Sequence, residues 1–207
     1  MSLTIDGAAF EPAGTILDAV LALGIHLPHL CKDDNLPAIG ACRTCLVEAD
    51  GRVVAACSMP ASAVSTVQTS TERVRRLRHG VLELTAAMQH RFDDADAPRG
   101  PLGHTTRETI AAGGADGSLH PVRTASHSDA SNPFFSFHED ACILCARCTT
   151  ACQSLQHIGA IGLAGRGHET RVTPGAGQSF LDSICTSCGS CVAACPTHAL
   201  RPRQGGL

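Results

Sequence analysis

The thiols of this chain constrain its fold more than any other feature. Twelve cysteines in 207 residues fall into three groups of four. The first is Cys31, Cys42, Cys45 and Cys57. The second is Cys142, Cys145, Cys148 and Cys152, and the third Cys185, Cys188, Cys191 and Cys195. Four thiols at such short spacings are either cross-linked or bound to metal, so any fold must gather each group. The N-terminus, MSLTIDGAAFEPAG, lacks a basic n-region followed by an apolar h-region, and no signal peptide is read there. The longest near-apolar stretch, Ala19 to Leu30, is too short for a membrane span and is interrupted by His26 and Pro28. A cytoplasmic location is the expectation, and there dense cysteine means metal ligation rather than disulfides.

The second and third groups share one spacing, C-x2-C-x2-C-x3-C. Three cysteines on a tight loop reach three corners of one four-iron cube, and the fourth starts a helix pointing away. In the two-cluster arrangement that fourth cysteine ligates the other cube. The expected ligand sets are therefore Cys142, Cys145, Cys148 with Cys195, and Cys185, Cys188, Cys191 with Cys152. Pro196 follows the last cysteine, as the bacterial pattern expects, whereas Gln153 stands where a proline would follow Cys152. Structural zinc is the competing reading, because C-x2-C pairs also suit a tetrahedral ion. Two complete copies of the four-cysteine pattern weigh against it.

The first group reads C-x10-C-x2-C-x11-C. The plant-type 2Fe–2S pattern, C-x4-C-x2-C with a distant fourth cysteine, has a shorter first gap. The stretch Gly40-Ala41-Cys42-Arg43-Thr44-Cys45-Leu46-Val47-Glu48 fits a loop turning into a strand, with small residues that let backbone N–H groups approach sulfur. Zinc stays open here as well.

Composition closes off other classes. The net charge is −3, Trp and Tyr are absent and Phe numbers 6. Neither a basic footprint nor stacking platforms for nucleic acid are present. Gly159, Gly162, Gly165 and Gly167 lie between two cysteine motifs without a strand-turn-helix context, so no dinucleotide site is read there. His26, His29 and His198 read as surface residues, and no catalytic residue is assigned.

Along the chain, 1–71 reads as an α+β unit. Hairpins are expected over Leu3–Ile5/Ala8–Phe10 and Leu46–Ala49/Arg52–Ala56, each turning at Asp-Gly. Thr15 to Asp18 resembles a capping box opening an apolar helix, and Val64 to Thr69 reads as a strand. Residues 72–91 read as a connecting helix, with Val74, Leu77, Val81, Leu84 and Met88 on one face and most of Arg73, Arg75, Arg76 and Arg78 on the solvated one. Residues 92–133 show no apolar period and read as a linker or partner-wrapping loop. Residues 134–207 carry a duplication of about 43 residues, pairing Cys142–Cys148 with Cys185–Cys191.

These motifs resemble the N-terminal iron–sulfur region of three groups of enzymes. They are the large iron–sulfur subunit of complex I, the diaphorase iron–sulfur subunit of NAD-linked hydrogenases, and the α subunit of NAD-dependent formate dehydrogenases. The segment Asn132-Pro133-Phe134-Phe135 through Cys145, then Gly165-Arg166-Gly167 and Pro196-Thr197, looks most like the formate dehydrogenase α subunit. The resemblance implies a β-grasp 2Fe–2S domain held by Cys31, Cys42, Cys45 and Cys57, joined to a two-cluster ferredoxin-like domain. The cofactors implied are one 2Fe–2S and two 4Fe–4S clusters. Two departures accompany it. The family's further His-x3-Cys-x2-Cys-x5-Cys cluster lacks its cysteines here, which leaves His90 as a remnant and Asp94 at the next ligand position. The family's molybdopterin-binding portion is not in this sequence either, so a catalytic centre is expected on another polypeptide.

The expected function is a non-catalytic electron-transfer subunit. It would relay electrons between a catalytic subunit, of formate dehydrogenase-like molybdopterin type, and a flavin/NAD-reactive subunit. The alternatives are the same role in an NAD-linked hydrogenase, a freely diffusing polyferredoxin, and an iron–sulfur redox sensor.

Overall fold

Apolar alternation and two Asp-Gly turns set the first sheet. The computed structural model describes residues 2–88, 106–115 and 127–203. Strands β1 (Leu3–Ile5) and β2 (Ala8–Phe10) pair antiparallel, with Leu3 and Ile5 buried. Asp6 (φ 48°) and Gly7 (φ 89°) both take left-handed backbone, as a two-residue turn matched to strand twist requires. The same turn at Asp50 and Gly51 joins β3 (Leu46–Ala49) to β4 (Arg52–Ala55). With β5 (Thr66–Gln68) the sheet runs β2-β1-β5-β3-β4, β5 being parallel to β1 and antiparallel to β3.

Helix α1 (Ile16–Ala22) opens on the expected capping box. The Asp18 N–H donates to Thr15 Oγ1 at 3.2 Å, and the Thr15 N–H donates to Asp18 Oδ2 at 2.8 Å. The helix buries Ile16, Leu17, Ala19 and Val20 in a core shared with Leu3, Ile5, Val47 and Val67. Each large side chain so buried stabilises the fold by about 1.5–3 kcal/mol. Two carboxylates then pin β5. Asp6 accepts from the Thr69 N–H and hydroxyl, and Asp50 accepts from the N–H groups of Ser65 and Thr66 and from the Thr66 hydroxyl.

Helix α2 (Glu72–Met88) presents a different face from the one its spacing suggests. Val74, Leu82, Thr85, Ala86 and Ala87 are buried, while Leu77 and Leu84 are exposed. The reason lies in its neighbours. Beyond Gly80 the helix meets α3 (Thr106–Ala112) and the loop of the first cysteine group. Small Ala86 and Ala87 admit that approach where Leu84 would not. Helix α3 lies inside the segment read as a linker; it is anchored by Ile110 against Leu82 and Ala86. Of the remainder of 92–133, residues 92–105 and 116–126, together with His90, lie outside the described residues.

The second part forms around β6 (Ser128–Asp129), β7 (Phe135–His138), α4 (Arg147–Thr150), β8 (Ile161–Ala164), β9 (Arg171–Pro174), α5 (Ser190–Ala193) and β10 (Leu200–Pro202). A sheet runs β10-β7-β6, and β8 and β9 form a separate hairpin. Phe135 and Phe137 meet Phe180 edge-to-face, with centroids 5.1 Å and 6.4 Å apart. The result is the α+β arrangement the sequence implies, a β-grasp unit followed by a two-cluster ferredoxin-like unit. No helix among the described residues is long and apolar enough to cross a membrane.

Candidate metal centres

The duplication repeats its backbone as well as its cysteines. Within each loop the residue before the second cysteine and the one after it are left-handed: Leu144 (φ 53°) and Ala146 (φ 63°), then Ser187 (φ 58°) and Gly189 (φ 77°). These reversals curl the loop so that its N–H groups face sulfur. The Leu144 N–H donates to Cys142 Sγ and the Ser187 N–H to Cys185 Sγ, both at 3.4 Å. The fourth cysteines are served alike, Cys152 Sγ by the Ala160 N–H at 3.2 Å and Cys195 Sγ by the Leu200 N–H at 3.4 Å. Such bonds favour a thiolate that carries cluster charge.

Two cavities divide these eight thiols. One is lined by Cys142, Cys145, Cys148 and Cys195, with Phe137, Val172 and Leu200 among its apolar walls. The other is lined by Cys152, Cys185, Cys188 and Cys191, with Phe135 and Ile161. Each cavity thus holds the first three cysteines of one copy and the fourth of the other. Sulfur dominates the donors, and apart from Thr197 in the first cavity and Thr186 in the second the lining side chains are apolar, which suits a four-iron cube.

The first group gathers at the foot of the β-grasp sheet. Cys31, Cys45 and Cys57 are buried and Cys42 is half-buried. Arg43, between Cys42 and Cys45, is left-handed at φ 57°. The Thr44 hydroxyl lies 3.1 Å from Cys42 Sγ. Cys31 contacts both Cys42 and Cys57, and Cys57 contacts Cys45.

Several of the thiols are held away from their ordinary acidities. Burial pushes Cys145 and Cys148 well up, and burial with the charge of Cys185 takes Cys191 up to about 12. At Cys145 the Arg147 N–H and guanidinium pull the other way. Cys42 is raised by Cys31 and by burial, whereas Cys45 is lowered by its contact with Cys57. Contact with Cys31 lowers the pKa of Cys57, yet Cys45 and burial outweigh it and take it up to about 11. Thiols buried and crowded in this way ionise readily when a cationic centre arrives to hold them. Among the described residues no group of three His, Cys, Asp or Glu side chains converges tightly enough for one metal ion. A four-iron cube takes each cysteine on a separate iron and so spaces its ligands more widely.

The sites meet at a seam. Leu30 and Cys31, with partly buried Ile39 and Cys42, share one apolar cluster with Ile143 and Cys145, closed by Leu82, Ala86 and Ile110. Leu36 packs on Ala151 and Ala194. Asp33 of the first loop forms an ion pair with Arg147, between Cys145 and Cys148. His29 sits beside the seam with Nδ1 2.7 Å from the Leu27 carbonyl oxygen, half-buried rather than on the surface, and burial lowers its pKa. The ion pair carried no signal in the sequence, since its partners are 114 positions apart.

Comparisons with known proteins identify two cluster-binding domains. Residues 1–72 match the 2Fe-2S iron-sulfur cluster binding domain, and residues 141–199 match the 4Fe-4S dicluster domain. The protein carries one 2Fe–2S and two 4Fe–4S clusters on this basis. A subunit of an NADP-reducing hydrogenase of Solidesulfovibrio fructosivorans is 35% identical over 97% of this chain and 36% of its own length. A formate dehydrogenase-like protein of Staphylococcus haemolyticus is 26% identical over 96% of this chain and 20% of its own. The chain therefore spans about a fifth to a third of the length of these curated relatives. A chain of the NAD+-reducing NiFe hydrogenase, solved in its H2-reduced state, superposes with a TM-score of 0.80 at 28% identity, covering 100% of this chain and 88% of that one. The chain thus joins a 2Fe–2S cluster binding domain to a 4Fe–4S dicluster domain and is similar along nearly its whole length to parts of NAD(P)-linked hydrogenases, formate dehydrogenase-like proteins and NADH-quinone oxidoreductases.

Proposed function

We propose that the chain is the electron-transfer subunit of a multisubunit NAD-linked oxidoreductase, standing between a catalytic subunit and a flavin/NAD-reactive one. The observation that carries this reading is the seam, where Cys31 and Cys42 share an apolar cluster with Cys145. In this reading Cys31, Cys42, Cys45 and Cys57 hold the 2Fe–2S cluster. Cys142, Cys145, Cys148 and Cys195 hold one 4Fe–4S cluster, and Cys152, Cys185, Cys188 and Cys191 the other; the grouping of the two cavities supports the crossed sets. The clusters, when bound, supply one-electron redox chemistry.

The residues around them exclude water and fix distances. Leu30, Ile143 and Leu82 close the seam, and Phe135, Phe137 and Phe180 close the space between the two cavities and the sheet. Backbone N–H groups share the charge borne by Cys142, Cys152, Cys185 and Cys195 Sγ. In this reading the family's further cluster at the His90 position is absent and electrons cross at the seam.

A formate dehydrogenase-like catalytic subunit is the first reading of the parent enzyme. An NAD-linked hydrogenase is the second, favoured by the 35% identity and the 0.80 superposition. Anaerobic purification of the native assembly tests both. A molybdopterin-containing subunit co-purifying with a flavoprotein supports the first, and a nickel–iron pair supports the second. A chain that elutes alone near 21.4 kDa, with its clusters in place, overturns the subunit role in favour of a diffusible carrier.

A further inference from the structure

The ion pair between Asp33 and Arg147 joins the two cysteine loops that face each other. Asp33 lies two residues after Cys31, and Arg147 lies between Cys145 and Cys148. Their side chains are 17% and 14% exposed. Asp33 also accepts from the Asn35 N–H through Oδ1 at 2.9 Å, which leaves Oδ2 for the guanidinium. The backbone N–H of Arg147 serves Cys145 Sγ, and its charge acts on the same sulfur. The Arg147 Nε is buried with no hydrogen-bond acceptor among the described residues, so Asp33 does not take up all of its donors. Lys32 donates to the Asp33 backbone carbonyl oxygen at 3.3 Å and pairs with the Asp34 carboxylate at 3.1 Å, so it leaves the Asp33 carboxylate to Arg147.

An ordinary surface ion pair contributes little, because water screens it. This one is largely withdrawn from water, where the field of each charge reaches further. Both charges also sit within two residues of a cluster cysteine. A reduced cluster carries one more negative charge than an oxidised one. A fixed cation beside it stabilises the reduced form and a fixed anion destabilises it.

We infer that Asp33 and Arg147 are a matched pair of tuning charges, which sets the reduction potentials of the 2Fe–2S cluster and of the Cys142/Cys145/Cys148/Cys195 cube while fixing the two loops against each other. The pair acts on the clusters through the seam, and its two members act with opposite sign. This rests on the ligand sets proposed above.

The test is a potentiometric titration, followed by electron paramagnetic resonance, on the anaerobically prepared holoprotein and its variants. Asp33→Asn removes the anion and keeps the shape, so both potentials flanking the seam rise. Arg147→Gln removes the cation, so both fall. The double variant Asp33→Asn/Arg147→Gln returns toward wild type, and Arg147→Lys stays near it. The cube of Cys152, Cys185, Cys188 and Cys191 moves least in every case. A merely structural latch predicts the other pattern, in which both single variants loosen the seam and shift the potentials the same way. That outcome, unmoved potentials, or an equal shift in the far cube overturns the inference. Should Arg147→Gln fail to hold its clusters, the sign of the Asp33→Asn shift decides alone, a rise supporting the inference and a fall or no shift overturning it. Failure of the ligand sets is distinct, because Cys195→Ser would then leave the cube of Cys142, Cys145 and Cys148 intact, whatever the potentials of the Asp33 and Arg147 variants.

Discussion

Asn132 donates from its side-chain amide to Ser187 Oγ at 2.8 Å, tying the approach to β7 to the loop between Cys185 and Cys188. The same side chain accepts from the Phe134 N–H at 3.0 Å, and Asn132 is buried at 2% exposure. Asn132→Ala would leave two polar groups without their partner, at a cost of about 1–3 kcal/mol. The expected outcome is a midpoint of thermal cluster loss lowered by several degrees. Visible absorbance during heating measures it. An unchanged midpoint would show that the loop is held by its cysteines alone.

The crossed cavities predict where damage appears. Cys195→Ser is expected to disturb the cube of Cys142, Cys145 and Cys148, although it lies at the far end of the sequence motif. Cys152→Ser is expected to disturb the cube of Cys185, Cys188 and Cys191. Iron content and the paramagnetic signal of each reduced cube distinguish the two variants. Damage confined to the sequence-adjacent motif would refute the crossing.

The two loops reach the same backbone with unequal ease. Gly189 is left-handed and a Cβ there would meet nothing within 4 Å. Gly189→Ala therefore costs backbone conformation alone, on the order of 1–2 kcal/mol. Ala146 holds the equivalent position in the first loop at φ 63°, so Ala146→Gly relieves a similar strain, partly offset by the freer unfolded chain. Chemical denaturation of the anaerobic holoproteins should show opposite shifts in midpoint.

Asp50 links stability to acid. Its carboxylate accepts from the Ser65 and Thr66 N–H groups and the Thr66 hydroxyl, which lower its pKa below the ordinary carboxylate value. A group whose folded pKa is depressed contributes stability that is present above its unfolded pKa. That contribution is lost as pH falls through the folded value. Denaturation of the wild type between pH 5 and pH 2 (on the order of the carboxylate range) should show a loss that Asp50→Asn lacks. Parallel acid profiles for the two proteins would rule the contribution out.

Much of this architecture was legible in local sequence. Both Asp-Gly hairpins, the Thr15–Asp18 box and the repeated cysteine loops are short-range devices, each written within about ten residues, and each forms where its residues indicate. Two features were not legible. The face of α2 follows from what packs on it, since Leu82 and Ala86 are covered by Ile110 across the chain while Leu84 meets solvent. Helix α3 itself has one strong apolar anchor, too few to give a period. Gly113, just past its end, lies so close to Leu82 that a Cβ would collide with it, and such a close approach leaves no mark in composition. At the metal sites the cysteines were evident from spacing, but the Asp33–Arg147 contact depends on how two separately folded loops meet.

The sharing of cysteines between the two cavities also bears on how the protein is made. Synthesis runs from the N-terminus, so Cys142, Cys145 and Cys148 leave the ribosome some fifty residues before Cys195, the thiol that completes their cavity. Until then that pocket has three sulfurs and an open wall. Cys152 meanwhile waits for a loop not yet translated. Neither pocket can close while the chain is half-built, and the two become ready for iron almost together, at the close of this segment's translation.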